Sequence, residues 1–86
     1  MANILRLNLT TDWIKLDDEF TPEVDNQYEV QNVGNCDVLV CESSIIPTEN
    51  TGNLLKPNKV GLWTKEEGLF LFVKSKDKTV INLNSL

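Results

Sequence analysis

Apolar and polar positions alternate from the start of the chain. Leu5, Leu7 and Leu9 fall on one side of an extended backbone and Arg6, Asn8 and Thr10 on the other, the period of a half-buried strand. A short apolar patch follows at Trp13, Ile14 and Leu16, and the polar run from Asp17 to Asn26, with Pro22 inside it, has the composition of a loop. The strand signal resumes at Tyr28, Val30 and Val33. Gly34-Asn35 is a two-residue turn signal, and Val38-Leu39-Val40-Cys41 is apolar on both faces, so this stretch predicts a hairpin ending in a central strand.

Ser43 to Asn58 contains Pro47, Gly52 and Pro57 among polar residues, and it predicts a long connection between sheets, anchored by Ile45, Ile46, Leu54 and Leu55. Val60, Leu62 and Thr64 then alternate with Gly61, Trp63 and Lys65, and Glu66-Glu67-Gly68 turns the chain into the apolar run Leu69-Phe70-Leu71-Phe72-Val73. Ser75-Lys76-Asp77-Lys78 predicts a tight turn, and Val80, Ile81 and Leu83 a closing strand, hence a final hairpin. No helical period of useful length occurs, although Pro22 to Gln27 or Thr48 to Leu55 could hold a single turn. The pattern as a whole predicts an all-β protein: a small antiparallel β-sandwich or barrel of about seven short strands, with residues 1–86 as one domain.

Composition narrows the function. With 41% hydrophobic and 24% charged residues the 86-residue chain is globular in character. A domain of this size buries only about 60% of the surface its unfolded chain exposes, which favours subunit contacts as added stabilisation. The net charge of −5 opposes nucleic-acid phosphates, and Arg6 is the sole arginine. Five of the lysines lie between Lys59 and Lys78, whereas Asp12, Asp17, Asp18, Glu19, Glu23, Asp25, Glu29, Asp37 and Glu42 crowd the first half, suggesting two regions of unlike potential. No apolar run is long enough to span a bilayer, and Met1-Ala2-Asn3-Ile4 lacks signal-peptide character; a cytoplasmic origin is expected.

The chemistry of catalysis is sparse. The chain has no histidine, the usual general base and transition-metal ligand. Cys36 and Cys41 are too few for a zinc site, and in an extended stretch they would stand about 16 Å apart, beyond disulfide reach, so reduced core thiols are expected. The scattered glycines form no phosphate loop, and Asp17-Asp18-Glu19 lacks the spacing of a calcium loop and is expected to be a solvated acidic loop. The expectation is a non-enzymatic protein without metal or cofactor.

Recognition therefore falls to large side chains. Phe70 and Phe72 share one face of their strand while Leu69, Leu71 and Val73 share the other, so one face needs a cover beyond the sheet's own partner. A neighbouring subunit is the candidate cover. Phe70, Phe72, Trp63 and Trp13 are the candidate interface residues, and Trp13, Trp63 and Tyr28 are the candidate stacking platforms if the protein instead binds a glycan.

The segment Tyr28-Glu29-Val30-Gln31-Asn32-Val33-Gly34, then Val38-Leu39-Val40 with Pro47 downstream, and Leu71-Phe72-Val73-Lys74-Ser75 before a last strand resemble small tailed-bacteriophage virion proteins. The resemblance implies a capsid decoration protein, head fibre or knob, or head-binding module. Such a protein is a β-sandwich acting as a homo-oligomer, with a trimer preferred, on a capsid or tail surface. It would reside in host cytoplasm before assembly and in the virion after it. The two cysteines and the polar run after Leu16 depart from that pattern. The alternatives are a small carbohydrate-binding module and an acidic inhibitor of a DNA-processing enzyme.

Overall fold

The computed structural model describes residues 2–86. The alternation at the start of the chain forms β1 (Ala2–Leu9), and the other strands are β2 (Ile14–Lys15), β3 (Gln27–Asn32), β4 (Val38–Ser43), β5 (Asn53–Leu55), β6 (Val60–Thr64), β7 (Phe70–Ser75) and β8 (Thr79–Ser85). They make two antiparallel four-stranded sheets, sheet A in the order β1-β8-β3-β6 and sheet B in the order β2-β7-β4-β5. The predicted sandwich is present, with eight strands. The two beyond clear sequence signals are β2, of two residues, and β5, of three, which are too short to show a period.

The pairings are β1 with β8, β2 with β7, β3 with β6 and β4 with β5. That is the result of folding one long ribbon back on itself between β4 and β5 and then rolling it, which is the jelly-roll arrangement. Rolling brings β8 beside β3 and β7 beside β4, completing the two sheets.

This topology corrects both predicted hairpins. The turn at Gly34-Asn35 carries the chain from β3 in sheet A to β4 in sheet B, and the turn at Ser75–Lys78 carries it from β7 in sheet B to β8 in sheet A. The reversing residues were recognised correctly, but turn chemistry says only that the chain reverses. It does not say which strand becomes the neighbour. The segment expected to link two sheets does lead from β4 in sheet B to β6 in sheet A, but it contains β5, which first pairs with β4 in sheet B. Of its expected anchors, Leu55 alone is buried; Ile45, Ile46 and Leu54 are exposed.

The core lies between the sheets. Leu5, Leu7 and Leu9 of β1 lie across from Leu83, Ile81 and Thr79 of β8, and Val30 of β3 pairs with Leu83. From sheet B come Val38, Leu55, Leu71 and Val73, while Leu16 is fully buried from the single turn of 3₁₀ helix, Leu16–Asp18, after β2. That turn occurs in neither segment expected to hold one. Asn32 is also fully buried, and its amide donates to the Cys36 carbonyl at 2.8 Å and the Leu55 carbonyl at 2.9 Å while its oxygen accepts from the Gly34 N–H at 3.1 Å. One side chain thus ties the end of β3 to the crossing loop and to β5, satisfying groups that burial would otherwise penalise. At Gly34 the backbones approach so closely that a Cβ would overlap the Thr79 hydroxyl and sit 2.8 Å from the Val80 nitrogen.

Candidate functional site

Tyr28 and Trp63 face each other across β3 and β6, and both point inward, because alternation places them in phase with Val30 and Gly61. Each is about 5% exposed. Phe20, from the loop after the 3₁₀ turn, meets Tyr28 edge-on at 5.3 Å and Trp63 at 6.4 Å, and the Tyr28 and Trp63 rings lie 5.5 Å apart. The polar tips are occupied as well. The Glu23 N–H donates to the Tyr28 hydroxyl at 2.9 Å, and Trp63 Nε1 donates to Glu42 Oε2 at 3.0 Å across to sheet B. The three rings plug one end of the sandwich. Neither ring offers a stacking face, which corrects that expectation for Tyr28 and Trp63, and Trp63 presents no surface of its own to a subunit.

The other face of sheet B is different. Trp13 precedes β2 and extends the same alternation, so it shares a side with Lys15, and the register sets Lys15 beside Phe72 and Phe72 beside Cys41. Leu39 lies beside Lys74 on one side and Leu54 on the other, and Phe70 lies beside Ser43. The outer surface is thus an apolar field of Trp13, Leu39, Leu54, Phe70 and Phe72. Lysines lie over it, Lys15 Nζ at 3.7 Å from the Phe70 ring centre and Lys74 Nζ at 5.0 Å from the Trp13 ring, and the buried Lys65 Nζ also lies 4.5 Å from the Phe70 ring centre. Cations over aromatic faces are attracted by the ring quadrupole, and their alkyl stems cover apolar surface.

Phe72 is only 4% exposed although it lies outside the inter-sheet core, so this chain covers it and it presents no surface to a subunit. Trp13 and Phe70 remain half-buried. Toward the other end of β7 from Phe70, an open hollow of about 370 Å³ is lined by Leu39, Leu54, Asp37, Asn50, Lys74 and Lys76.

One lysine is held from below. Lys65 Nζ donates to Asp17 Oδ2 at 2.8 Å and to the Leu69 carbonyl at 2.6 Å, while Asp17 Oδ1 accepts the Leu71 N–H at 3.0 Å. Both side chains are more than nine-tenths buried. Asp17 is therefore a structural anchor joining the 3₁₀ turn to β7, not part of a solvated acidic loop; Asp18 and Glu19 beside it are exposed. The cysteines are free, but Cys36 lies in the crossing loop and not in an extended stretch with Cys41, and neither is a core thiol: Cys41 stands on the outer face of sheet B, and both are half-buried.

Of the residues expected to carry recognition, Trp13 and Phe70 are brought together on one accessible face, while Trp63 and Tyr28 are drawn inside. Lys15, Leu39 and Lys74 were not singled out, although a signal existed: Lys15 stands two residues from Trp13, and Lys74 two from Phe72, which in strands means the same side. Among the described residues no group of His, Cys, Asp and Glu is arranged to hold a metal, and no helix is long and apolar enough to cross a membrane. Comparison with protein-family models, with curated proteins and with solved structures finds no match.

Proposed function

We propose that this protein is a non-enzymatic assembly module that associates with copies of itself and attaches to the surface of a larger particle. The outer face of sheet B carries the reading: an apolar field of Trp13, Leu39, Leu54 and Phe70 fringed by Lys15, Lys74 and Lys76, beside an open hollow. A field of this kind fits a protein surface with an apolar centre and carboxylates around it, because aromatic anchors supply buried area and the lysines supply steering and register. The jelly-roll arrangement is one that viral capsid proteins use, and the strand pattern resembling phage virion proteins points to a capsid or tail as the particle. Location in the virion, after synthesis in host cytoplasm, belongs to the same proposal.

The test is co-sedimentation of the purified chain with tailed-phage particles that lack it. Wild type sediments with the particles, and Trp13→Ala or Phe70→Ala lowers the bound fraction by about 30-fold in affinity, the scale of a hot-spot truncation. Absence of co-sedimentation by the wild type overturns the reading.

A second reading, a small glycan-binding module, is favoured by the Asp37, Asn50 and Thr11 side chains that ring the hollow near Trp13. Trp13 is its one remaining platform, and Lys74 already lies over that ring. Retention on a glycan array that disappears in both Trp13→Ala and Asp37→Ala would favour it over assembly.

A further inference from the structure

A sandwich has four sheet edges, each a row of backbone groups able to pair with another chain, and three of the four are blunted here. β2 has two residues and β5 three, while β1 is interrupted by a register shift between Asn3 and Leu5 and carries Arg6. Short strands, bulges and charges are the means by which β-proteins prevent edge-to-edge contact. β6 has none of these. Its five residues, Val60-Gly61-Leu62-Trp63-Thr64, run without a proline or charge, with Val60 46% and Leu62 65% exposed.

The bonds to β3 show where the backbone of β6 points. The Lys59 carbonyl accepts from the Asn32 N–H at 3.0 Å, and the Lys65 N–H donates to the Asn26 carbonyl at 3.0 Å. In an antiparallel ladder these groups alternate, so Gly61 and Trp63 also face β3, and Val60, Leu62 and Thr64 direct their N–H and C=O groups to the open edge.

The flanks of β6 are two tight turns of the same kind and opposite charge. Lys56-Pro57-Asn58-Lys59 closes with the Lys59 N–H on the Lys56 carbonyl at 3.1 Å, with Asn58 at φ 66°. Glu66-Glu67-Gly68-Leu69 closes with the Leu69 N–H on the Glu66 carbonyl at 3.2 Å, with Gly68 at φ 81°. Lys56, Lys59, Glu66 and Glu67 are all exposed.

We propose that β6 pairs antiparallel with β6 of a second copy of this chain, across a two-fold axis at Leu62. That register sets Leu62 against Leu62 of the other copy and Val60 against its Thr64, each pair exchanging both hydrogen bonds. It also lays the lysine turn of each copy against the glutamate turn of the other, at both ends. A parallel pairing would place like charges together. The order of charge along the strand is therefore complementary to itself only in the antiparallel sense, which identifies the occupant as a second copy. The contact continues sheet A from one subunit into the next and covers the 200 Å³ cleft between β5 and β6, lined by Leu54, Leu55, Trp63 and Glu42. This deepens the self-association half of the assembly reading and rests on it, while making no use of the particle.

The test is the mass in solution, by sedimentation equilibrium from low to high micromolar protein. The wild type is a dimer. Leu62→Lys raises the dissociation constant by about 30-fold or more and leaves the far-ultraviolet circular dichroism unchanged. Lys56→Glu with Lys59→Glu weakens the dimer, and adding Glu66→Lys and Glu67→Lys to the same chain restores it. An oligomer indifferent to Leu62→Lys but lost in Phe70→Ala overturns the β6 contact and keeps self-association, moving it to sheet B. A wild-type monomer overturns both and leaves the edge for an extended segment of another protein.

Discussion

The outer faces of the two sheets obey the same alternation and reach opposite solutions. On sheet A the outward side chains of β1, β8 and β3 include Asn3, Arg6, Glu29, Gln31, Asn82 and Asn84, with a polar ladder in which Asn3 Nδ2 donates to Asn84 Oδ1 at 3.0 Å and Asn84 Nδ2 donates to Glu29 Oε1 at 3.1 Å, while Val60 and Leu62 join this face at the β6 edge. On sheet B the equivalent positions hold aromatic and aliphatic groups, with lysines over the rings. A solvated face needs only to satisfy its polar groups. An apolar one needs a cover, and here the cover is partial, supplied by lysine stems over Phe70 and Trp13. The contrast separates a face whose polar groups satisfy one another from one that leaves aromatic rings half-covered.

Four substitutions would break or sharpen that contrast. The largest effect belongs to Lys65→Ala, which leaves the Asp17 carboxylate buried without its cation and removes the ammonium from the Phe70 ring. The expected loss is about 3–5 kcal/mol in urea-unfolding free energy. Phe72→Ala follows at about 3 kcal/mol by the same measurement, because the ring is buried although it lies on the outer side of its sheet. Asn84→Ala on the opposite face loses two amide bonds that are partly open to water, and about 1 kcal/mol is expected. A loss for Asn84→Ala equal to that for Phe72→Ala would show that the two faces are equally structural, and the contrast would fail.

The smallest effect has the opposite sign. The Asn82 side-chain oxygen is buried and has no hydrogen-bond partner among the described residues. Asn82→Val is expected to be neutral or to raise the urea-unfolding free energy by up to about 1 kcal/mol, since a β-branched side chain suits the strand and has no polar group to leave unpaired.

Much of this was legible in the chain. The alternation at Leu5, Leu7 and Leu9, and the strand signal at Tyr28 and Val30, located β1 and β3. The turns at Gly34-Asn35 and Ser75–Lys78 were found where they occur. Their destinations were not, because a strand pairs with whichever neighbour completes its sheet, and in a rolled ribbon that neighbour is far away in sequence. The aromatic residues show the same division. Trp13, Trp63 and Tyr28 look alike as large rings beside polar loops, yet Trp63 and Tyr28 close over Phe20 while Trp13 stays at the surface. Their surroundings differ because the loop after the 3₁₀ turn packs Phe20 against both Tyr28 and Trp63 and brings the Glu23 N–H onto the Tyr28 hydroxyl.

Asp17 states the point most sharply. In a run of Asp17-Asp18-Glu19 the three carboxylates are indistinguishable, but the 3₁₀ turn directs Asp17 inward to Lys65 and leaves its neighbours in water. The sequence alone determined the all-β class, the positions of the longer strands, and which side chains share a strand face, since each follows from local geometry at a period of two residues. Only the tertiary structure decided the jelly-roll pairing, the burial of Trp63 and the Asp17–Lys65 pair, and the exposure of β6 as the one long unguarded edge. Those depend on contacts between segments far apart in the chain, where many pairings satisfy the same alternation and the packed core selects one.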